Sequence, residues 1–88
     1  MRVLVCDDER HVQRLIQVNL ERQGHSVKTV SSGNAAIEIM RAEPFDWVII
    51  DPDMPRMSGY EVRDWIQGQP ELCDLRVTML EQKSRTVV

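Results

Sequence analysis

The apolar residues fall into short unbroken runs separated by longer, spaced stripes. Val3-Leu4-Val5-Cys6 is continuous and is followed at once by acids; Trp47-Val48-Ile49-Ile50 repeats the arrangement, ending on Asp51. Runs this short, without the alternation of a half-exposed strand, predict strands buried on both faces, as in a parallel sheet. Residues 26–30 alternate weakly and predict a second strand, and residues 76–80 a fourth. Between the strands the period changes. Val12, Leu15, Ile16 and Leu20 stand at helical spacing, with Asp8 placed to cap the start and Gly24 to end it. A second helix is predicted over residues 34–42, with a serine of Ser31-Ser32-Gly33 as cap and Pro44 barring extension past Glu43. Val62, Trp65 and Ile66 give a third stripe that stops near Gly68 and Pro70. The order β-α-β-α-β-α-β implies an α/β fold: a parallel sheet with helices on both faces and right-handed crossovers.

Size and charge narrow the possibilities. With 88 residues the chain is one small domain, able to bury only about 60–65% of the surface its unfolded form exposes. Its net charge is −3 and its Lys and Arg residues are scattered, which argues against direct binding to nucleic acid, since that needs grouped cations against phosphates. Cys6 and Cys73 are too few and too far apart for a zinc site, and are expected as free thiols in a reducing cytosol. No apolar run approaches the ~20 residues that span a bilayer. Met1 leads straight into a strand rather than a signal peptide, so a cytoplasmic location and no membrane partner are expected. His11 and His25 are expected at the surface, Trp65 in the core, and the methionines mostly as core filler.

The acids carry the chemistry. In open α/β sheets, ligands bind beyond the carboxyl ends of the strands, where the strand order reverses. Asp7 and Asp8 follow the first strand and Asp51 the third. In a doubly wound sheet those strands are neighbours, so three carboxylates converge. Two like charges ~4 Å apart repel by about 4 kcal/mol at an effective dielectric near 20. Either their pKa values rise or a hard cation such as Mg²⁺ removes the conflict. Beside such a cation, Asp51 is a carboxylate able to attack a phosphoryl donor. An Asp-Asp pair after a strand is, alone, a common helix cap; the independently placed Asp51 makes the set more specific.

Val3-Leu4-Val5-Cys6-Asp7-Asp8-Glu9, Val48-Ile49-Ile50-Asp51 and Met54-Pro55-Arg56-Met57-Ser58-Gly59-Tyr60-Glu61 together resemble the receiver domain of two-component response regulators, from residue 1 to about residue 80. The resemblance implies a flavodoxin-like doubly wound sheet, with Asp51 as phosphoacceptor in a Mg²⁺-dependent phosphorelay. Asp7 and Asp8 would hold the ion directly or through water, and the backbone carbonyl of Asp53 would be a further ligand. It also implies a signalling domain rather than an enzyme. Its phosphoryl group would come from a histidine kinase or phosphotransfer protein, and its output would be protein contact.

The departures from that pattern lie around the site and at the end of the chain. Where the family carries a Ser or Thr after its fourth strand, this chain has Glu81; Lys83 is the one candidate to replace the family's lysine; and Pro52 follows the phosphoacceptor directly, removing an N–H. The family's last helix, strand and helix have no counterpart, so residues 1–80 are read as a receiver-like domain and 81–88 as a tail. The fourth strand would be an edge with unpaired backbone groups, and the two absent helices would leave on the order of 10 kcal/mol of apolar burial unmade. Residues 85–88 folding back as an extra or exchanged strand, or a symmetric homodimer over more than ~1,200 Å², would cover it. The alternative function is a degenerate receiver that dimerises or binds a partner without phosphorylation.

Overall fold

The computed structural model of the chain describes residues 1–80; Glu81, Lys83 and the tail expected at 81–88 lie outside the described residues. Four strands, β1 (Arg2–Cys6), β2 (Ser26–Val30), β3 (Trp47–Ile50) and β4 (Arg76–Met79), alternate with three helices, α1 (Arg10–Arg22), α2 (Gly33–Ala42) and α3 (Gly59–Gln67). A single 3₁₀ turn, Pro70–Leu72, precedes β4. All pairings are parallel and the order is β2-β1-β3-β4. The two continuous apolar runs thus occupy the central strands, while the weakly patterned strands lie at the edges. β4 stops one residue short of the predicted run, although the Leu80 N–H still donates to the Ile50 carbonyl (2.8 Å).

Alternation along β1 and β3 builds two cores. Leu4, Cys6, Val48 and Ile50 point to one face and pack with Ala36 and Met40 of α2 and Val62 and Ile66 of α3. Val3, Val5 and Ile49 point to the other, where Leu20 and Ile16 of α1 meet Val27. Each fully buried aliphatic side chain contributes roughly 1.5–3 kcal/mol relative to exposure.

Helix α1 contacts the sheet along a line different from the predicted stripe. Gln13, Ile16 and Leu20, spaced i, i+3 and i+7, form the seat: Gln13 and Leu20 are buried, whereas Leu15 is 64% exposed. Leu15 precedes Ile16 by one residue, which is about 100° around the helix, and so lies on the flank. Asp8 does not cap this helix; the N-cap is Glu9, without a side-chain cap bond. At the other end the prediction of Gly24 holds. It sits at φ +95°, and Gly24 N–H to Glu21 O (3.0 Å) with His25 N–H to Leu20 O (3.1 Å) closes the helix as a Schellman motif.

Ser32 caps α2, its hydroxyl accepting from the Ala35 N–H (3.1 Å), and the extended Glu43 ends that helix before Pro44. Ser58 and Glu61 close a reciprocal capping box at the start of α3. At the amino ends of the strands Glu43 pairs with Arg2 (2.6 Å) and Lys28 (2.8 Å), which hold its carboxyl below the usual range, the Lys28 hydrogen bond first. His25 is half-buried rather than at the surface, edge-on to Trp47, whose indole N–H donates to Thr78 Oγ1 (2.9 Å). Trp65 is half-buried against the α2–α3 core. No described helix is long and apolar enough to cross a membrane.

Candidate functional site

The carboxyl ends of β1 and β3 deliver the acids by continuing the sheet ladder one residue beyond each strand. The Asp7 N–H donates to the Val30 carbonyl (3.1 Å), and the Asp51 N–H donates to the Cys6 carbonyl (2.9 Å). Both backbones are therefore fixed where the strands stop, and both side chains are almost fully buried, Asp7 at 2% and Asp51 at 3% exposure. Asp8 is exposed. One oxygen from each of Asp7, Asp8 and Asp51 lies within 4.8 Å of the others, so the predicted convergence is present.

Local hydrogen bonds orient the two buried carboxylates. Asp7 Oδ1 accepts from the Glu9 N–H (2.8 Å), and Asp51 Oδ1 from the Asp53 N–H (3.0 Å). Burial, then the negative charges of Asp51, Asp8 and Glu9, push the Asp7 carboxyl up to about 6 from 3.8 despite the Glu9 N–H. Burial is also the first cause of the rise of the Cys6 thiol to about 12, with Asp7, Asp51 and Asp8 adding to it. Cys6 stays protonated beneath the acids, in contact with the Ser32 carbonyl (3.4 Å) and Met54 Sδ (3.5 Å).

The loop after β3 is folded tightly under the site. Pro52 is buried and its carbonyl accepts from the Gly59 N–H (3.1 Å). A Cβ at Gly59 would lie 2.3 Å from the Asp51 carbonyl oxygen, so α3 begins against the backbone of Asp51. Only glycine permits that approach. Met54 fills the space below, and Arg56 takes a left-handed conformation (φ 67°) at the loop's exposed turn.

A residue absent from the sequence reading is Gln13. Its side chain is 8% exposed, and its Nε2 donates to the Asp7 and Val30 carbonyls and to Ser31 Oγ. The signal was available: a glutamine occupies the apolar line shared with Ile16 and Leu20. Of the remaining predicted positions, Asp53 is exposed and joins the site through its N–H, while Glu81 and Lys83 fall outside the described residues.

Carboxylate oxygens from three residues, two of them buried, are a hard donor set suited to a small divalent cation. The raised pKa of Asp7 marks a carboxylate whose charge is disfavoured first by burial and then by the neighbouring acids, a cost that such an ion relieves. The acids therefore fit Mg²⁺.

The model of the response regulator receiver domain family matches residues 3–87. Among curated relatives, the alkaline phosphatase synthesis transcriptional regulatory protein PhoP of Bacillus subtilis is 39% identical over 68 residues, covering 77% of this chain and 28% of PhoP. The chain spans about a third, or less, of the length of the curated relatives it matches first. Among solved structures, the Thermotoga maritima response regulator TrrA in complex with Mg²⁺-BeF superposes with a TM-score of 0.83 at 28% identity, over 99% of this chain and 76% of TrrA. The complex of TrrA with the histidine kinase ThkA gives a TM-score of 0.83 at 31% identity, over 92% of this chain and 68% of the matched one. A parallel β2-β1-β3-β4 sheet with acids at the ends of its two central strands is the flavodoxin-like receiver architecture, and this chain belongs to the response regulator receiver domain family.

Proposed function

We propose that the chain is a phospho-accepting receiver. Asp51 takes a phosphoryl group from a histidine kinase or phosphotransfer protein, and the phosphorylated state is read through protein contact. The observation that carries this reading is the meeting of Asp7, Asp8 and Asp51 oxygens within 4.8 Å at the ends of adjacent strands. Asp7 and Asp8, with Asp51 and the Asp53 carbonyl, are the groups that would hold Mg²⁺. When bound, the ion neutralises charge on the oxygens of the transferring group. In the transfer an Asp51 carboxylate oxygen forms a new O–P bond as the N–P bond of a phosphohistidine donor breaks, and the imidazole leaves with the electron pair and takes up a proton. The buried setting of Asp51 limits competing water. The TrrA structures, with Mg²⁺-BeF and with a kinase, support the same assignment by likeness.

Several finer points belong to this reading. Residues 1–80 form the receiver-like unit; in sequence, Glu81 occupies the position where the family has a Ser or Thr, and Lys83 is the candidate lysine. The protein works in the cytoplasm without direct contact to nucleic acid. A homodimer covering the outer side of β4 completes the sheet. Incubation with acetyl phosphate and Mg²⁺ tests the central claim by mass spectrometry. One added phosphoryl group, absent from Asp51→Asn, is expected. No adduct under conditions that label another receiver would favour the second reading, a degenerate module that dimerises without phosphorylation.

A further inference from the structure

We infer that Gln13 is a positioning residue for the cation pocket: its side-chain amide stands in for the sheet where β2 has ended and thereby fixes the backbone of Asp7. In a parallel ladder the N–H and C=O of one residue face the same neighbouring strand. The Asp7 N–H faces β2 and bonds to the Val30 carbonyl, so the Asp7 carbonyl faces β2 as well. β2 ends at Val30 and supplies no further ladder N–H to it. Gln13 Nε2 donates to that carbonyl, to the Val30 carbonyl (3.0 Å) and to Ser31 Oγ (3.1 Å). One amide thus ties α1 to the ends of both strands. Two N–H groups serve three acceptors, so the contact is a saturated hub rather than one bond.

A glutamine buried to 8% exposure on a helix face otherwise seated by Ile16 and Leu20 has a cost of burial that these bonds offset. If Gln13 served stability alone, an apolar side chain of its shape would replace it with a loss in stability and no effect on the cation. Positioning makes a different demand. With the Asp7 carbonyl unheld, the peptide after Asp7 can rotate. The Cα atoms of Asp7 and Asp8, which that peptide joins, then lose their fixed relation, and the two side chains lose their common orientation. Partners that orient metal ligands typically matter by 10–100-fold in affinity. Gln13 acts on a backbone rather than on a ligand atom, so about 3–10-fold is expected.

The inference rests on the Mg²⁺ reading of the site, and the test separates the two. Gln13 also lines a polar groove of about 360 Å³ with Arg10, Arg14, Gln17, Thr29 and Ser31. A small replacement would admit water to the orphaned carbonyls, so the variant of choice is Gln13→Met, which keeps the volume. Mg²⁺ dissociation constants are measured by calorimetry on wild type, Gln13→Met and Val27→Ala, with the metal-free melting temperature of each. Val27 lies in the same core without touching the acids. The expected result is Mg²⁺ affinity about 3–10-fold weaker in Gln13→Met and unchanged in Val27→Ala, at comparable losses of metal-free stability. Equal affinity in Gln13→Met and wild type overturns the inference while leaving the Mg²⁺ site standing. A wild type that takes up no Mg²⁺ overturns both. Should Gln13→Met fail to fold, Gln13→Asn, which keeps an amide one methylene too short to bridge the strands, carries the same expectation and the same refutation.

Discussion

Substituting Gly59 by alanine should be the most damaging of the glycine-to-alanine changes at positions 24, 59 and 68, and the structure supplies the magnitude. The added Cβ would stand 2.3 Å from the Asp51 carbonyl oxygen, 2.7 Å from Ile50 Cγ2 and 2.8 Å from Pro52 Cα, where ordinary contacts begin at 3.4 Å. About 1 Å of separation must be found. Two of the three atoms are backbone, so no rotamer change provides it; the start of α3 or the loop after β3 has to move. Overpacking of this kind costs about 1–3 kcal/mol, and the rigid neighbours place Gly59→Ala at or above the upper end. The better helix propensity of alanine returns at most about 1 kcal/mol. A net loss of about 2 kcal/mol lowers the melting temperature of a domain this small by roughly 8–16 °C. Gly24 offers a calibration, since a Cβ there meets nothing within 4 Å and the cost is only that of φ +95°; about 1 kcal/mol is expected. Gly68 has a right-handed backbone, φ −84°, and its nearest contact is 3.5 Å, so alanine there is neutral or slightly stabilising. Thermal and urea unfolding by circular dichroism should rank the losses Gly59, Gly24, Gly68. A Gly59→Ala protein that melts with the wild type would refute the close approach, and with it the claim that α3 begins against the backbone of Asp51.

The raised pKa of Asp7 sets a pH dependence. Its carboxyl ionises near 6 when folded and at 3.8 in the reference state, so the metal-free fold loses stability as pH rises between those values. The loss from this group is at most about 3 kcal/mol. Saturating Mg²⁺ should flatten the dependence, and equal pH profiles with and without the ion would contradict it. By the same logic Asp7→Asn should raise the metal-free melting temperature at pH 7 while weakening Mg²⁺ uptake; a fall in both would show that the cost of a charge buried beside other acids is not the dominant effect. In the native protein Cys73, which is exposed, should react with an aromatic disulfide reagent within minutes, and Cys6, buried with a thiol pKa near 12, only on unfolding. Ser58→Ala removes half of the capping box of α3 and should cost about 1 kcal/mol in urea unfolding.

The strands and the acid cluster were legible because both depend on short stretches of sequence. Val3 to Cys6 and Val48 to Ile50 are buried on both faces, which leaves an unbroken apolar run, and an acid directly after such a run lies at the carboxyl edge of the sheet. Ser32, Gly24 and Pro44 were legible for the same reason: each acts within four residues of itself. What escaped the sequence depends on contacts between distant segments. Leu15 and Gln13 exchanged places because the line along which α1 meets the sheet is set by how the helix is rolled, and a stripe of four apolar residues leaves that roll free by about 100°. Asp8 suited a cap by residue type, but the helix begins one residue later, after Glu9. The approach of Gly59 to Asp51 and the bond from Trp47 to Thr78 require tertiary placement.

The Leu80 N–H donates to the carbonyl of Ile50, the residue immediately before Asp51. The covalent path between the two segments runs through all of α3 and β4, yet in space they are adjacent, and this bond continues the β3–β4 ladder one residue past β4. The backbone that carries Asp51 and the last described residue of the chain are thereby held in one ladder, with no helix between them.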